Sequence, residues 1–103
     1  MVREASENAR VHGFHDMHHS FGDLIALMHS ELSEALEEHR HGHSASETYF
    51  DGDKPEGVPS ELADVVIRIA DFCGTHRIDL DAAVRLKMDY NATRPFRHGG
   101  KKL

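Results

Sequence analysis

Apolar residues recur along this chain at the period of a helix, in runs separated by glycine, proline and polar clusters. Phe21, Leu24, Ile25, Met28, Leu32, Ala35 and Leu36 follow the i, i+3, i+4, i+7 rule, which places them on one stripe. The preceding Ser20-Phe21-Gly22-Asp23 resembles a capping box with Asp in place of Glu, so a helix is predicted from Ser20 to about Arg40, stopping near Gly42. Leu62, Val65, Val66, Ile69, Phe72 and Cys73 form a second stripe, with Ser60 after Pro59 as the predicted N-cap and Gly74 near the end. A short helix is predicted over residues 2–12, ending at Gly13. Asp79 opens a fourth that finishes near Arg94, because Pro95 disfavours helix at the residue before it. Residues 42–59 hold three Gly, two Pro and several Ser and Asp, which predicts a loop; no convincing period-2 stretch is present. The expectation is an all-α, four-helix protomer, a single domain over residues 1–103 without internal repeats.

Size and charge narrow the field. A chain of 103 residues is marginal for a large core of its own, so it is predicted to complete that core as a homodimer or homotetramer. Eighteen acidic against twelve basic residues give a net charge of −6, which argues against a nucleic-acid polymer as partner. The imbalance is uneven: from about residue 94 a basic tail carries Arg94, Arg97, His98, Lys101 and Lys102 with no acid. Cys73 is alone, so an internal disulfide is excluded and a reducing cytosol is predicted. No apolar run approaches membrane length and no signal-peptide pattern opens the chain. The expectation is a cytoplasmic protein with no membrane partner.

Two acidic pairs carry the candidate chemistry: Glu31-Leu32-Ser33-Glu34 and Glu61-Leu62-Ala63-Asp64. Residues three apart share a helix face, so each pair is a two-carboxylate claw. At about 100° per residue, Glu31, Glu34 and Glu38 fall on one flank of their apolar stripe. Glu61, Asp64 and Asp71 fall on the flank of the same hand in the next helix. If the two helices pack antiparallel by their stripes, the four motif acids converge at one edge of the interface. One Glu-x-x-Glu on a helix is usually only a solvated face; two copies beside apolar stripes are much less common. Carboxylates near a core need a positive partner, and an all-oxygen set suits Mg²⁺, with Mn²⁺ as a substitute. A di-iron site would add a His three residues after a ligand Glu, and none of the four has one.

The pattern Glu-x-x-Glu, a spacer of residues 35–60, then Glu-x-x-Asp resembles the MazG-like all-α nucleoside triphosphate pyrophosphohydrolases. Lys87-Met88-Asp89-Tyr90-Asn91 followed by Arg94-Pro95 is similar to a segment of the dCTP pyrophosphatase branch, as is His19 twelve positions before Glu31. Gly13-Phe14-His15-Asp16 and His98-Gly99-Gly100-Lys101-Lys102 look like MazG-like proteins of actinobacteria and their phages. The resemblance covers roughly residues 13–103. It implies an oligomeric helical bundle, and hydrolysis of a (deoxy)nucleoside triphosphate between its α and β phosphates in nucleotide-pool house-cleaning.

On that resemblance Glu31, Glu34, Glu61 and Asp64 are the metal ligands, and Glu34 or Glu38 accepts the proton of the attacking water. Asp71 is either a support behind the ligands or a solvated acid. Lys87, Asn91 and Arg94, at i, i+4 and i+7, would hold phosphate oxygens; otherwise they are a surface stripe that the helix dipole favours. Arg68 stands where the dCTP branch has Tyr, and the chain has no Trp to stack a base. Phe14, His15 and His19 are the candidate replacements, with Arg68 and Lys101 completing the substrate set; Phe14 is equally a core anchor. Two clusters among the ten histidines (His12, His15, His18 and His19; His39, His41 and His43) have irregular spacing and no Cys support, which favours solvated loops over a Zn²⁺ or Ni²⁺ site. Three alternatives stand beside this reading. They are a phosphoribosyl-ATP pyrophosphohydrolase, a non-catalytic helical module that binds metal or nucleotide, and a structural dimer with solvated acids.

Overall fold

A computed structural model describes residues 1–13 and 19–94. Four helices dominate: α1 (Val2–Val11), α2 (Phe21–Arg40), α3 (Val58–Thr75) and α4 (Leu80–Ala92), with a hairpin of β1 (Tyr49–Asp51) and β2 (Lys54–Glu56) between α2 and α3. Among the described residues no helix is long and apolar enough to cross a membrane.

The start of α2 obeys its sequence. Ser20 Oγ accepts from the Asp23 amide at 3.0 Å, and the Ser20 amide donates back to Asp23 Oδ2 at 3.1 Å, satisfying two of the donors that a helix start leaves open. Asp79 caps α4 in the same way, its Oδ1 accepting from the Ala82 amide at 3.0 Å.

The predicted loop and the predicted start of α3 both need correction. Tyr49 pairs with Glu56, Phe50 with Pro55 and Asp51 with Lys54 in an antiparallel ladder, closed by Gly52-Asp53. Helix α3 begins at Val58 with Gly57 as its N-cap. Ser60 lies inside the helix, and its hydroxyl donates to the Pro55 carbonyl at 3.1 Å. Gly57 has φ 115°, and a Cβ there would run into the Glu47 carbonyl oxygen. Only glycine tolerates both demands, so this contact sets where α3 starts.

Helices α2 and α3 run antiparallel. Their contacts descend one helix as they climb the other: Glu38 lies near Glu61, Glu31 pairs with Arg68, and Phe21 meets Phe72 with ring centroids 5.5 Å apart. On another face of α3, α1 approaches so closely that a Cβ on Gly74 would come within 2.8 Å of Ser6 Cβ. Among the described residues the buried apolar ones are small, namely Ala5, Ala35, Val58, Ala70 and Cys73. The predicted stripes are therefore only partly covered: Leu32, Leu36, Leu62 and Val66 all remain exposed. In α4 every residue after Leu80 is exposed.

Candidate metal centre

The antiparallel pairing brings the two claws together. Helical spacing puts Glu31 and Glu34 on one face of α2, and Glu61 meets them from the first turn of α3. One carboxylate oxygen from each of Glu31, Glu34 and Glu61 lies within 4.8 Å of the others. Asp64, one turn further along α3, stands against Glu31.

Crowding marks this group electrostatically. Burial, hydrogen bonds shared with Glu34 and Glu31, and the charges of Glu34 and Asp64 push the Glu61 carboxyl up to about 8. Burial and then the Glu31 charge also raise Asp64, against the opposing pull of Arg68. Glu61 Oε2 is sealed from solvent and meets no hydrogen-bond donor. Like charges this close favour a shared proton or a cation.

Arg68 supplies one positive group. Its Nε and Nη2 both donate to Glu31 Oε1, at 3.3 and 3.2 Å. It lines a cleft of about 260 Å³ with Glu31, Asp64, Asp71, Ile67 and, from α1, Ala9. Asp71 is buried there, at the place its periodicity predicts.

The hairpin adds what sequence reading missed. Glu56 and Glu38 bring oxygens within 4.8 Å of each other and of Glu61, so Glu61 belongs to two acidic groups. The Tyr49 hydroxyl lies 2.9 and 3.0 Å from the two Glu38 oxygens, and that hydrogen bond, before all else, pushes the phenol up to about 12. The His43 ring stacks on Tyr49 at 4.5 Å, its Nε2 3.7 Å from Glu38 and its Nδ1 3.3 Å from Glu47. Lys54 Nζ pairs with Glu56 at 3.0 Å. The available signal was Gly52-Asp53 between short runs, a two-residue turn that favours a hairpin.

Other predicted site residues are not drawn into the cluster. Lys87 and Arg94 flank the Tyr90 ring, at 5.3 and 5.7 Å from its centroid, on the same exposed helix end as Asn91. His19 is half-buried before the α2 N-cap, a point that helical rise puts roughly 16 Å along the axis from Glu31. Phe14, His15, His18, His98 and Lys101 lie outside the described residues. His39 and His41 are exposed, and no histidine joins a group of possible metal ligands among the described residues.

Comparison with known proteins returns no match to a family model, a curated protein or a solved structure.

Proposed function

We propose that this chain is a Mg²⁺-dependent nucleoside triphosphate pyrophosphohydrolase of the MazG-like kind, working in the cytoplasm as a homodimer or homotetramer. The observation that carries the reading is the convergence of Glu31, Glu34 and Glu61 within 4.8 Å, with Asp64 beside them and a sealed Glu61 oxygen that has no donor. An all-carboxylate set of this kind fits a hard divalent cation better than a zinc or iron site.

Glu31, Glu34, Glu61 and Asp64 would hold Mg²⁺ or Mn²⁺. That ion would neutralise the triphosphate, polarise the phosphorus under attack and acidify a bound water. Glu34 or Glu38 would take the proton of that water. Tyr49 holds Glu38 in place, while Glu34 is more exposed.

A second copy of the chain enters for two physical reasons. Exposed Leu32, Leu36, Leu62 and Val66 on the α2–α3 pair, with Val84, Leu86 and Met88 on α4, leave apolar surface that association would cover. Lys87 and Asn91 also sit on α4, and Arg94 just past its end, and their own protomer does not fold this exposed segment over the acids. A second copy would carry that face to the phosphates. The separation of α4 from the acids equally favours a non-catalytic module that binds metal or nucleotide.

One screen separates these readings. Pyrophosphate release is measured across canonical and modified nucleoside triphosphates with Mg²⁺ and Mn²⁺, for the wild type, Glu31→Gln and Asp64→Asn. The hydrolase reading expects turnover of at least one nucleotide, and a loss of at least about 100-fold in each variant with helical circular dichroism unchanged. No turnover of any nucleotide favours the binding module; full activity in the variants removes the metal assignment.

A further inference from the structure

The Arg68–Glu31 pair places a guanidinium on an oxygen that the reading above assigns to a divalent cation. Both nitrogens converge on the single Oε1, so the fork occupies one ligand oxygen rather than spanning the carboxylate. Two positive groups on one oxygen repel strongly when partly shielded from water. Arginine and cation therefore compete for Glu31.

The surroundings give the displaced arginine somewhere to go. Its side chain keeps 31 % of its exposure, against 15 % for Glu31, so the guanidinium lies at the solvent side of the pair. It already lines the cleft of about 260 Å³ that opens beside Asp64. It is ion-paired with Glu31, and its charge also acts on Asp64. An anion arriving there meets the carboxylates of Glu31, Asp64 and Asp71, and the guanidinium fork matches its oxygens.

We propose that Arg68 is the resident counter-cation of the acidic site: it holds Glu31 until a divalent cation takes that oxygen, and then grips the anion the cation carries. Arg68 thus weakens binding of the metal alone and strengthens binding of metal and polyphosphate together. It is a coupling residue between the two. The proposal rests on the acidic set holding a divalent cation, and it holds whether or not the bound anion is hydrolysed.

The test separates the two halves by sign. Binding of Mn²⁺ alone is followed through the electron paramagnetic resonance of the free ion, and binding of inorganic tripolyphosphate at saturating Mn²⁺ by calorimetry. In Arg68→Gln, Mn²⁺ alone is expected to bind about twofold to fivefold tighter, the range of a partly exposed ion pair. Tripolyphosphate should bind about tenfold weaker. Arg68→Lys keeps the charge without the fork and should move both affinities the same way by less; it carries the test if the glutamine variant fails to fold. Unchanged or weaker Mn²⁺ binding overturns the proposal, because an arginine that merely props Glu31 in place could only lose metal when removed. Unchanged tripolyphosphate binding overturns it as well. Failure of every nucleotide to release pyrophosphate would sink the hydrolase reading and leave both binding measurements standing.

Discussion

The acidic flank of α2 and α3 and the basic end of α4 carry the same kind of sequence signal, charged residues at helical spacing, yet one protomer treats them differently. It assembles the acids from two helices and walls them with α1 and the hairpin. It leaves Lys87 and Asn91 on an exposed helix and Arg94 just past its end, with Lys87 and Arg94 flanking the Tyr90 ring. The difference follows from packing. Helices α2 and α3 meet through Glu31–Arg68 and Phe21–Phe72 and each bury apolar residues, whereas α4 buries no residue of its own. A pattern of charges becomes a site only where an apolar face brings its parts together.

The most severe test of that contrast asks whether α4 works in trans. Glu31→Gln damages the acidic half and Arg94→Ala the basic half, so each variant alone is expected to be nearly inactive. If a second copy lends its α4, mixed and re-equilibrated variants contain sites with intact acids from one protomer and an intact α4 from the other. Pyrophosphate release should then rise at least about tenfold above either variant alone, since groups that act as a unit fail together and recover together. No recovery, with mixed oligomers verified by mass, would mean that α4 is a surface helix.

A smaller effect is expected where α1 closes the acidic half. Gly74→Ala improves intrinsic helix propensity, yet the new Cβ would lie 2.8 Å from Ser6 Cβ and 3.2 Å from Val2 Cγ1. Overpacking of this kind costs about 1–3 kcal/mol, against a propensity gain of about 1 kcal/mol. The net outcome is a loss of up to about 2 kcal/mol, read as a fall in midpoint on urea unfolding. Pushing α1 away also displaces Ala9 from the cleft wall. Unchanged or increased stability would show that α1 docks more loosely than the Gly74 contact implies.

Much of the acidic half was legible because its information is local. Ser20 and Asp23 cap α2 as their spacing demands, Asp79 caps α4, and the claws follow from a three-residue offset that any helix repeats. Tertiary contacts account for what was missed. Ser60 has the chemistry of a cap, but the Glu47 carbonyl pressed against Gly57 starts α3 three residues earlier. Tyr49 and Glu56 joined the acids through a hairpin only three residues a side, too short for alternation to stand out. Apolar periodicity located the stripes without saying what covers them, and Leu32, Leu36, Leu62 and Val66 stay exposed in the protomer.

The subtlest expectation concerns pH, and it too belongs to the acidic half. Glu61 rises from its ordinary 4.5 to about 8 in the folded chain, chiefly through burial and then through Glu34 and Glu31. A carboxyl with a raised folded pKa stabilises the fold while protonated. Its contribution is full below the unfolded value and fades as pH climbs from about 4.5 through about 8. In a metal-free buffer the thermal midpoint should therefore drift downward across that window, and in Glu61→Gln, which stays neutral, the drift should flatten. On the proposed metal assignment Mg²⁺ would bind the ionised carboxylates, so its stabilising effect should grow over the same window as protons leave. Two melting series, with Mg²⁺ and with chelator, should thus diverge with rising pH in the wild type and diverge less in Glu61→Gln. Parallel curves would place the raised carboxyl somewhere other than the cation site and loosen the link between the two claws.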